Sequence, residues 1–350
     1  MKKTVELDVI KIILERYGFQ DPVVDQKMYI HAIEDDGWIK LIFRVTLANG
    51  KRLVVKIIHE DEDLKAEMVK AEKQSSFSET MRRNGIKTPA RYKAAGNYVS
   101  EFIYRDLPCI VTVEDWCGEE ITEITTELAY QIGALMARMH TISLANKCEI
   151  GCGTLFSAAY QNDVDAFQAF CEITRNEKLD QTIVKQLRTL HDEKLEHLRA
   201  VWETLPKAAI QGDISINNLV SSEEGLIVFD YNNAGDEVLI SDLVMEGLLT
   251  AYEMSLPDNT PASYREKIFP ALLKGYLSIR PLSEAESKAA WEAYTLYHSL
   301  WFSRIIHHDT SLEKLVQSKN YDAANRLLKR MLADMTEVDD GRFRSYSNKC

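Results

Sequence analysis

Apolar residues recur at helical spacing over residues 5–17, which predicts a short helix at the start of the chain. The pattern then changes to β-type runs over residues 28–33, 38–47 and 52–58. Asn49-Gly50, between the last two runs, is typical of a two-residue hairpin turn. The first part of the chain therefore predicts a helix followed by three antiparallel strands.

A charged helix over 64–84 and two strands, over 98–104 and 109–113, complete this part of the pattern. The rest of the chain is mainly helical, apart from one β-type island over 208–230. Its predicted helices cover residues 128–140, 163–173, 179–205, 263–279, 284–307 and 321–336. This order predicts an α+β protein with a small antiparallel sheet first and a helical region after it.

Composition narrows the class of protein. The chain has 350 residues and a net charge of −12, which disfavours binding to nucleic acid phosphates. No stretch reaches the roughly 18 apolar residues of a membrane span, and the first residues do not form a signal peptide. Six scattered cysteines without metal-site spacing indicate free thiols. We therefore expect a cytoplasmic protein that binds neither nucleic acid nor membranes.

The β island holds the residues best suited to chemistry. Asp213 and Asn218 lie five positions apart, and Asp230 ends the apolar run Leu226-Ile227-Val228-Phe229. Two short strands around a Ser-Ser-Glu-Glu-Gly turn would form a hairpin that presents these polar side chains on one side. Phosphoryl transfer needs this set, because one Asp orients or deprotonates the acceptor hydroxyl while Asn and a second Asp hold Mg²⁺.

Gly212-Asp213, Asn218 and Phe229-Asp230 together resemble the catalytic signature of the aminoglycoside phosphotransferase and choline kinase superfamily. Further segments are similar to family motifs: 132–140, which ends in a Met-His pair, the hinge-like 114–118, and the parts 273–276 and 280–286, which resemble the homoserine-kinase-like branch. The resemblance implies a protein-kinase-like bilobal fold. It places a nucleotide-binding lobe in residues 1–117 and a helical catalytic and substrate lobe in 118–350.

The resemblance also implies roles for single residues. Lys56, on the third strand, matches the lysine that contacts the α- and β-phosphates of ATP, and a helix glutamate, for which Glu72 is the favoured candidate, would pair with it. Glu114 and Trp116 in the hinge would lie against the nucleotide. Asn218 and Asp230 would bind Mg²⁺, and Asp213 would be the catalytic residue. Asp242 matches an aspartate that supports the loop from below, and it is also a candidate helix N-cap.

Three departures from the family pattern support an alternative, a catalytically impaired kinase-like protein that binds nucleotide or a partner. Gln211 stands where the family usually has His, and Gln74 stands at the expected position of the helix glutamate. The loop over 34–37 has three acids and one glycine, which is poor for cradling phosphates with backbone amides. Against this alternative, Lys56, Asp213, Asn218 and Asp230 are all present.

The acceptor stays open among homoserine, choline-like amino alcohols, sugars and aminoglycosides. The acidic net charge favours a cationic acceptor. Acids and aromatics of the helical region, among them Glu246, Glu253 and Tyr252, could bind an amine, although aromatics at helical spacing more often belong to the core. The sequence leaves monomer and homodimer as alternatives.

Overall fold

The structure is a computed structural model that describes residues 4–33, 38–59, 63–160 and 166–344. The chain divides into two compact units. Unit 1 comprises residues 1–120, 148–152 and 218–234, and unit 2 comprises 121–147, 153–217 and 235–350. Because the chain crosses between the units more than once, the predicted division at residues 117 and 118 stays a prediction. In the described ranges, no helix combines the length and apolar character of a membrane span.

Unit 1 is built around an antiparallel sheet. In chain order its first elements are α1 (Leu7–Arg16), β1 (Val23–Ile33), β2 (Ile39–Leu47), β3 (Arg52–His59), α2 (Leu64–Arg83), β4 (Val99–Tyr104) and β5 (Leu107–Asp115). The five strands pair in the order β1-β2-β3-β5-β4, and every pairing is antiparallel. The two predicted helices and five predicted strands are thus all present, with β1 and β5 longer than their apolar runs.

The remaining elements follow in chain order. They are α3 (Thr126–Asn146), α4 (Phe167–Ile173), α5 (Gln181–Trp202), β6 (Lys207–Ile210), β7 (Leu219–Ser222), β8 (Gly225–Val228), β9 (Gly235–Val238), α6 (Leu239–Tyr252), α7 (Ile268–Ile279), α8 (Glu284–Ser299), α9 (Phe302–Ile305), α10 (Leu312–Gln317) and α11 (Tyr321–Met335). Strands β7 and β8 form a hairpin in unit 1, whereas β6 pairs with β9 in unit 2.

The core of unit 1 lies against one face of β2. Alternate β2 residues, from Ile39 to Leu47, are fully buried, as the period of two in a half-buried strand requires. Ile10, Ile13 and Leu14 of α1 belong to the same hydrophobic cluster. The residues between them on β2 are half-buried, which leaves the other face of the strand to polar side chains such as Arg44.

Two predictions for the helical region are wrong. The helix expected over 284–307 is broken into α8 and α9, because Leu300 and Trp301 leave helical geometry and the Trp301 indole donates to Glu253 Oε1 at 2.6 Å. Asp242 is not an N-cap, because α6 begins at Leu239 and Asp242 lies in its first turn. Part of the helix predicted from residue 163 lies outside the described residues.

Helices α3 and α7 cross at two glycines, and both belong to the motifs on which the resemblance depends. A Cβ atom added to Gly133 of α3 would lie 1.9 Å from the carbonyl oxygen of Leu272. A Cβ atom added to Gly275 of α7 would lie 1.9 Å from the carbonyl oxygen of Tyr130. The two backbones are in direct contact, so neither helix can carry a side chain at the crossing without moving away.

We expect Gly133→Ala to lower the free energy of unfolding by about 2–3 kcal/mol, because overpacking against backbone atoms forces the helices apart. Urea unfolding followed by circular dichroism measures the change. Gly153→Ala is the matched control, since a Cβ atom there meets no heavy atom within 4 Å. Equal stability of the two variants would contradict the close crossing.

Candidate active site

Lys56 is a buried cation on β3 of unit 1. Its residue is 4% exposed, and its Nζ atom lies 3.1 Å from Asp230 Oδ1 and 3.7 Å from Glu114 Oε1. Burial lowers the pKa of Lys56, but Asp230 and Glu114 outweigh burial and raise it above its ordinary value. Lys56 is therefore charged at neutral pH and is held in place by two carboxylates from different parts of unit 1.

Glu114 is shared between two buried cations. Its Oε2 atom lies 3.1 Å from Arg91 Nε, and the Arg91 side chain is 6% exposed. Arg91 also donates from Nη1 to Ser75 Oγ at 2.7 Å. With Asp230, these side chains form a four-charge cluster of two cations and two anions, Lys56, Arg91, Glu114 and Asp230. Equal numbers of opposite charges reduce the cost of removing them from water.

The prediction that Glu72 of α2 pairs with Lys56 is wrong. Glu72 Oε2 accepts from the backbone amide of Val99 at 3.0 Å, and Glu114 of β5 takes the place beside Lys56. Gln74, at the expected glutamate position, donates from Nε2 to the carbonyl oxygens of Asn232 at 2.6 Å and Ala234 at 3.0 Å. The helix therefore fastens the segment that follows Asp230 rather than neutralising the lysine.

Asn218 and Asp230 both lie at the open end of the β7–β8 hairpin. The Phe229 amide donates to the Asn218 carbonyl oxygen at 3.0 Å, next to the last ladder pair of Leu219 and Val228. Asp230 has a φ of +53°, a left-handed conformation that is uncommon outside glycine and often marks functional sites. Its side chain is 29% exposed, so a ligand can reach it, whereas Lys56 is enclosed.

These two side chains fit a hard divalent cation by their chemistry. The amide of Asn218 and the carboxylate of Asp230 both offer oxygen ligands, and Mg²⁺ usually takes only a few ligands from protein. Burial raises the pKa of Asp230, but Lys56 and Arg91 outweigh burial and hold it below its ordinary value. Asp230 is therefore an anion at neutral pH, as a metal ligand must be. In the described residues, no group of three or more His, Cys, Asp or Glu side chains could hold a metal.

The hinge-like segment over 114–118 begins at the end of β5. The Trp116 indole donates to the Tyr29 hydroxyl at 3.2 Å and lies 4.1 Å from the Arg52 guanidinium. The backbone amide of Trp116 donates to the carbonyl oxygen of Arg52 at 3.1 Å. The Trp116 side chain is thus engaged with the first strands of the sheet, and the Glu114 side chain with the charge cluster. Their contact with a nucleotide stays a prediction. The acidic loop over 34–37 lies outside the described residues.

Asp213 lies in unit 2, in the loop after β6. Gln211, which is 2% exposed, accepts from the Asp213 amide through Oε1 at 2.8 Å. The Ser215 hydroxyl lies 3.0 Å from Asp213 Oδ1 and also contacts Asn217 Oδ1. Gly212, with a φ of +74°, gives the sharp turn before Asp213. Gln211 therefore braces this loop by a hydrogen bond.

A buried hydrogen-bonded chain includes Asp242. Asp242 Oδ2 lies 2.8 Å from His140 Nε2, and His140 Nδ1 lies 2.9 Å from the Tyr276 hydroxyl. Arg280 continues the chain by donating from Nη1 to the Tyr276 hydroxyl at 3.2 Å, and its Nη2 lies 2.5 Å from Glu286 Oε1. These hydrogen bonds link α3, α6, α7 and α8. The segments 132–140 and 280–286, on which the resemblance depends, therefore have a structural role within unit 2.

Sequence reasoning missed Arg91, and it named Glu246 only as one of the acids that could bind an amine. Arg91 pairs with Glu114 across an isolated bridge, and only a charge count of the buried cluster would have pointed to it. Glu246, one turn after Asp242, is 1% exposed, and both of its carboxyl oxygens lack a hydrogen-bond partner in the described residues. Burial, then Asp213 and Asp242, raise the pKa of Glu246 well above its ordinary value. Burial and the two neighbouring carboxylates thus favour the neutral form of Glu246.

Glu246→Gln should stabilise the protein most at alkaline pH. Below the pKa of the unfolded chain, near 4.5, both states hold the Glu246 proton and there is no penalty. As pH rises above that value, the unfolded state loses a proton that the folded state keeps, so the wild type loses relative stability. We expect the variant to gain about 1–3 kcal/mol near neutral and alkaline pH and little at about pH 4. Urea unfolding across this range checks it, with the exposed Glu196→Gln as control. A gain that does not change with pH would contradict a raised pKa of Glu246.

No family model matches the chain, and no curated protein sequence matches it. Solved structures do match. Amicoumacin kinase hAmiN, in complex with AMP-PNP, Ca²⁺ and Ami, is 16% identical, with 92% of each chain covered and a TM-score of 0.57. A microcompartment-associated aminopropanol kinase is also 16% identical, with 95% of this chain and 99% of that chain covered and a TM-score of 0.58.

An aminoglycoside phosphotransferase from Alicyclobacillus acidocaldarius subsp. acidocaldarius DSM 446 is 12% identical. The match covers 95% of this chain and 97% of that chain, with a TM-score of 0.55. At identities this low, the structural matches establish the fold only, and the activity has to be argued from the residues. The fold expected from the sequence is therefore confirmed, and the chain has the protein-kinase-like α+β fold that these phosphotransferases share.

Proposed function

We propose that the protein is an ATP- and Mg²⁺-dependent phosphotransferase that moves the γ-phosphate to a hydroxyl group of a small molecule. The observation that carries the proposal is the pairing of Lys56 with Asp230, together with the backbone hydrogen bond that joins Asn218 to Phe229, the residue before Asp230. A buried lysine next to a partly exposed carboxylate and an amide oxygen is the set that binds nucleotide phosphates with a divalent cation.

Each residue would have one task. Lys56, held by Glu114, would contact the α- and β-phosphates, and the backbone of the hinge-like segment would lie against the base. Asn218 and Asp230 would hold Mg²⁺, which when bound neutralises the charge on the phosphates. Asp213, five residues before Asn218 in the sequence, would orient the acceptor hydroxyl and accept its proton. The hydroxyl oxygen then bonds to the γ-phosphorus, and ADP leaves with the bridging oxygen.

The departures that favoured a catalytically impaired protein have a structural explanation that supports catalysis instead. Gln211 holds the Asp213 amide, Gln74 holds the segment after Asp230, and Glu114 supplies the carboxylate for Lys56. Thus the Asp213 loop and Lys56 are both held in place, although by residues different from those expected from the family pattern. The acceptor class follows from the fold only as a range, in which amino alcohols and aminoglycosides come first because similar structures are kinases of these compounds.

Thermal unfolding with ATP and Mg²⁺, together and separately, tests nucleotide binding. We expect the melting temperature to rise with Mg²⁺-ATP and the rise to be lost in Asp230→Asn. Asp8→Asn, at an exposed position of α1, is the matched control. A screen for ADP release with amino alcohols, sugars and aminoglycosides then tests transfer. No shift at millimolar Mg²⁺-ATP would remove the proposal, and a shift without ADP release in any acceptor would favour the impaired, nucleotide-binding alternative.

A further inference from the structure

A cavity of about 450 Å³ lies among the last helices of unit 2. Its wall includes four arginines and one histidine, namely Arg265, Arg304, Arg326, Arg330 and His308. The other lining residues include the hydroxyl groups of Tyr252, Ser303 and Thr310, and no carboxylate among the described residues lines the cavity. We call this cavity the arginine pocket. Its volume is in the range of sites for small molecules.

The charges around the arginine pocket do not balance. Arg304 Nη1 lies 2.6 Å from Asp334 Oδ2, and His308 Nε2 lies 3.4 Å from Glu253 Oε2. Arg265 donates from Nη1 to the backbone carbonyl oxygens of Ala251 and Met254, which carry no net charge. The pocket therefore holds more positive than negative charge, although the chain as a whole carries −12.

Arg326 and Arg330 are the two guanidinium groups available to a ligand. Both are exposed residues of α11, and neither has a hydrogen bond or an ion pair to any described residue. They stand four positions apart, so they share one face of the helix, where like charges destabilise it. An anion bound between them would remove this repulsion.

The titration of a neighbouring histidine is consistent with a positive potential. His298 Nε2 lies 2.7 Å from the Tyr252 hydroxyl and 3.5 Å from Arg304 Nη2. Burial and then the charge of Arg304 lower the pKa of His298 to about 4, while Asp334 opposes them. His298 is therefore neutral at neutral pH, and the imidazole is left as a hydrogen-bond acceptor for Tyr252 beside the pocket.

We infer that the arginine pocket binds a small anionic molecule through a phosphate or carboxylate group, which Arg326 and Arg330 contact with their guanidinium forks. Planar guanidinium groups match both kinds of anion by paired hydrogen bonds. The anionic group belongs either to the acceptor of the proposed phosphotransfer or to a separate ligand. Binding itself needs only the pocket and does not depend on the proposed function.

The binding test compares two double variants with the wild type. Arg326→Gln/Arg330→Gln removes the two available forks, whereas Lys288→Gln/Lys329→Gln removes the same charge from exposed helix positions outside the pocket. Calorimetry with inorganic phosphate and with succinate, in chloride buffer of constant ionic strength, measures affinity. We expect at least one probe to bind the wild type and the lysine variant with similar affinity, and the arginine variant at least about tenfold more weakly.

Thermal unfolding without a probe separates lost binding from lost folding. Removal of the like-charge pair should leave the melting temperature of the arginine variant equal to or above that of the wild type. Two results would overturn the inference. One is equal binding of a probe by all three proteins. The other is no binding of either probe to the wild type at about 10 mM, a concentration at which even a weak metabolite site would be occupied.

Steady-state kinetics separates the two sources of the anion. If it belongs to the acceptor, Arg326→Gln/Arg330→Gln raises KM for an acceptor with a carboxylate or phosphate group, leaves KM for ATP unchanged, and phosphate competes with that acceptor. If it belongs to a separate ligand, phosphate binds together with the acceptor. Because calorimetry measures binding without turnover, its result can be interpreted even if the protein has no phosphotransferase activity.

Discussion

Asp213→Asn should lower kcat by about a hundred- to ten-thousand-fold, the usual range for a general base, while Mg²⁺-ATP still binds. Asparagine has almost the shape of aspartate but cannot accept the hydroxyl proton. The Gln211 hydrogen bond goes to the backbone amide of Asp213, and the Ser215 hydroxyl can donate to an amide oxygen, so the loop keeps its supports. ADP release with the best acceptor measures kcat, and thermal shift with Mg²⁺-ATP measures binding.

The matched control is Asp322→Asn, at an exposed position in the first turn of α11 of the same unit. It should keep the turnover of the wild type. If Asp213→Asn retained more than about a tenth of wild-type kcat, Asp213 would not be the base, since a positioned base contributes at least a hundredfold. Loss of the thermal shift in this variant would show that the substitution had disturbed the nucleotide site.

Glu114→Gln should lower the free energy of unfolding by about 3–5 kcal/mol. The substitution leaves the two buried cations, Lys56 and Arg91, with Asp230 as the one carboxylate of the cluster. Removal of one member of a buried charge pair costs this much because the remaining charge stays out of water without compensation. Urea unfolding, followed by the fluorescence of the tryptophans, measures the change. Because a chain with two compact units can unfold in more than one transition, the midpoint of each observed transition is compared.

Glu119→Gln is the control, because Glu119 pairs with Lys27 on the surface and its loss should change stability far less. The double variant Lys56→Met/Glu114→Gln gives a further check. It removes one cation with one anion, so its loss of stability should be smaller than the sum of the single losses by at least about 1 kcal/mol. A Glu114→Gln protein as stable as the surface control would contradict the cluster.

Local sequence patterns were sufficient to predict the order of the helices and strands and the hairpin between Asn218 and Asp230. The Asn49-Gly50 turn and the alternating apolar runs define the antiparallel strands β2 and β3, and both are present. The predicted hairpin of two short strands is present as β7 and β8, and the placement of Asp213, Asn218 and Asp230 on one side of it stays a prediction. These features depend on residues close in sequence, where turn chemistry and periodicity act directly.

The partners of Lys56 depend on tertiary pairing and were out of reach. In the ladder of β3 and β5, Lys56 faces Thr112 and Val54 faces Glu114. Glu114 is therefore diagonal to Lys56 on the same face of the sheet, at a separation that long side chains can span. That register follows from the pairing of strands more than fifty residues apart. The break between α8 and α9 is similar, because the contact of Trp301 with Glu253 overrides a helical pattern.

The position of Glu114 has a consequence for regulation. In protein kinases, the acid that pairs with the phosphate-binding lysine comes from a helix, and displacement of that helix turns the enzyme off. Here the acid belongs to β5, which is fixed to β3 by a ladder of backbone hydrogen bonds, and α2 contributes Gln74 to backbone carbonyls instead. An outward swing of α2 would break the Gln74 bonds and leave Lys56 paired. In the proposed phosphotransferase, a movement of α2 would therefore not switch the enzyme off by separating Lys56 from its carboxylate partners.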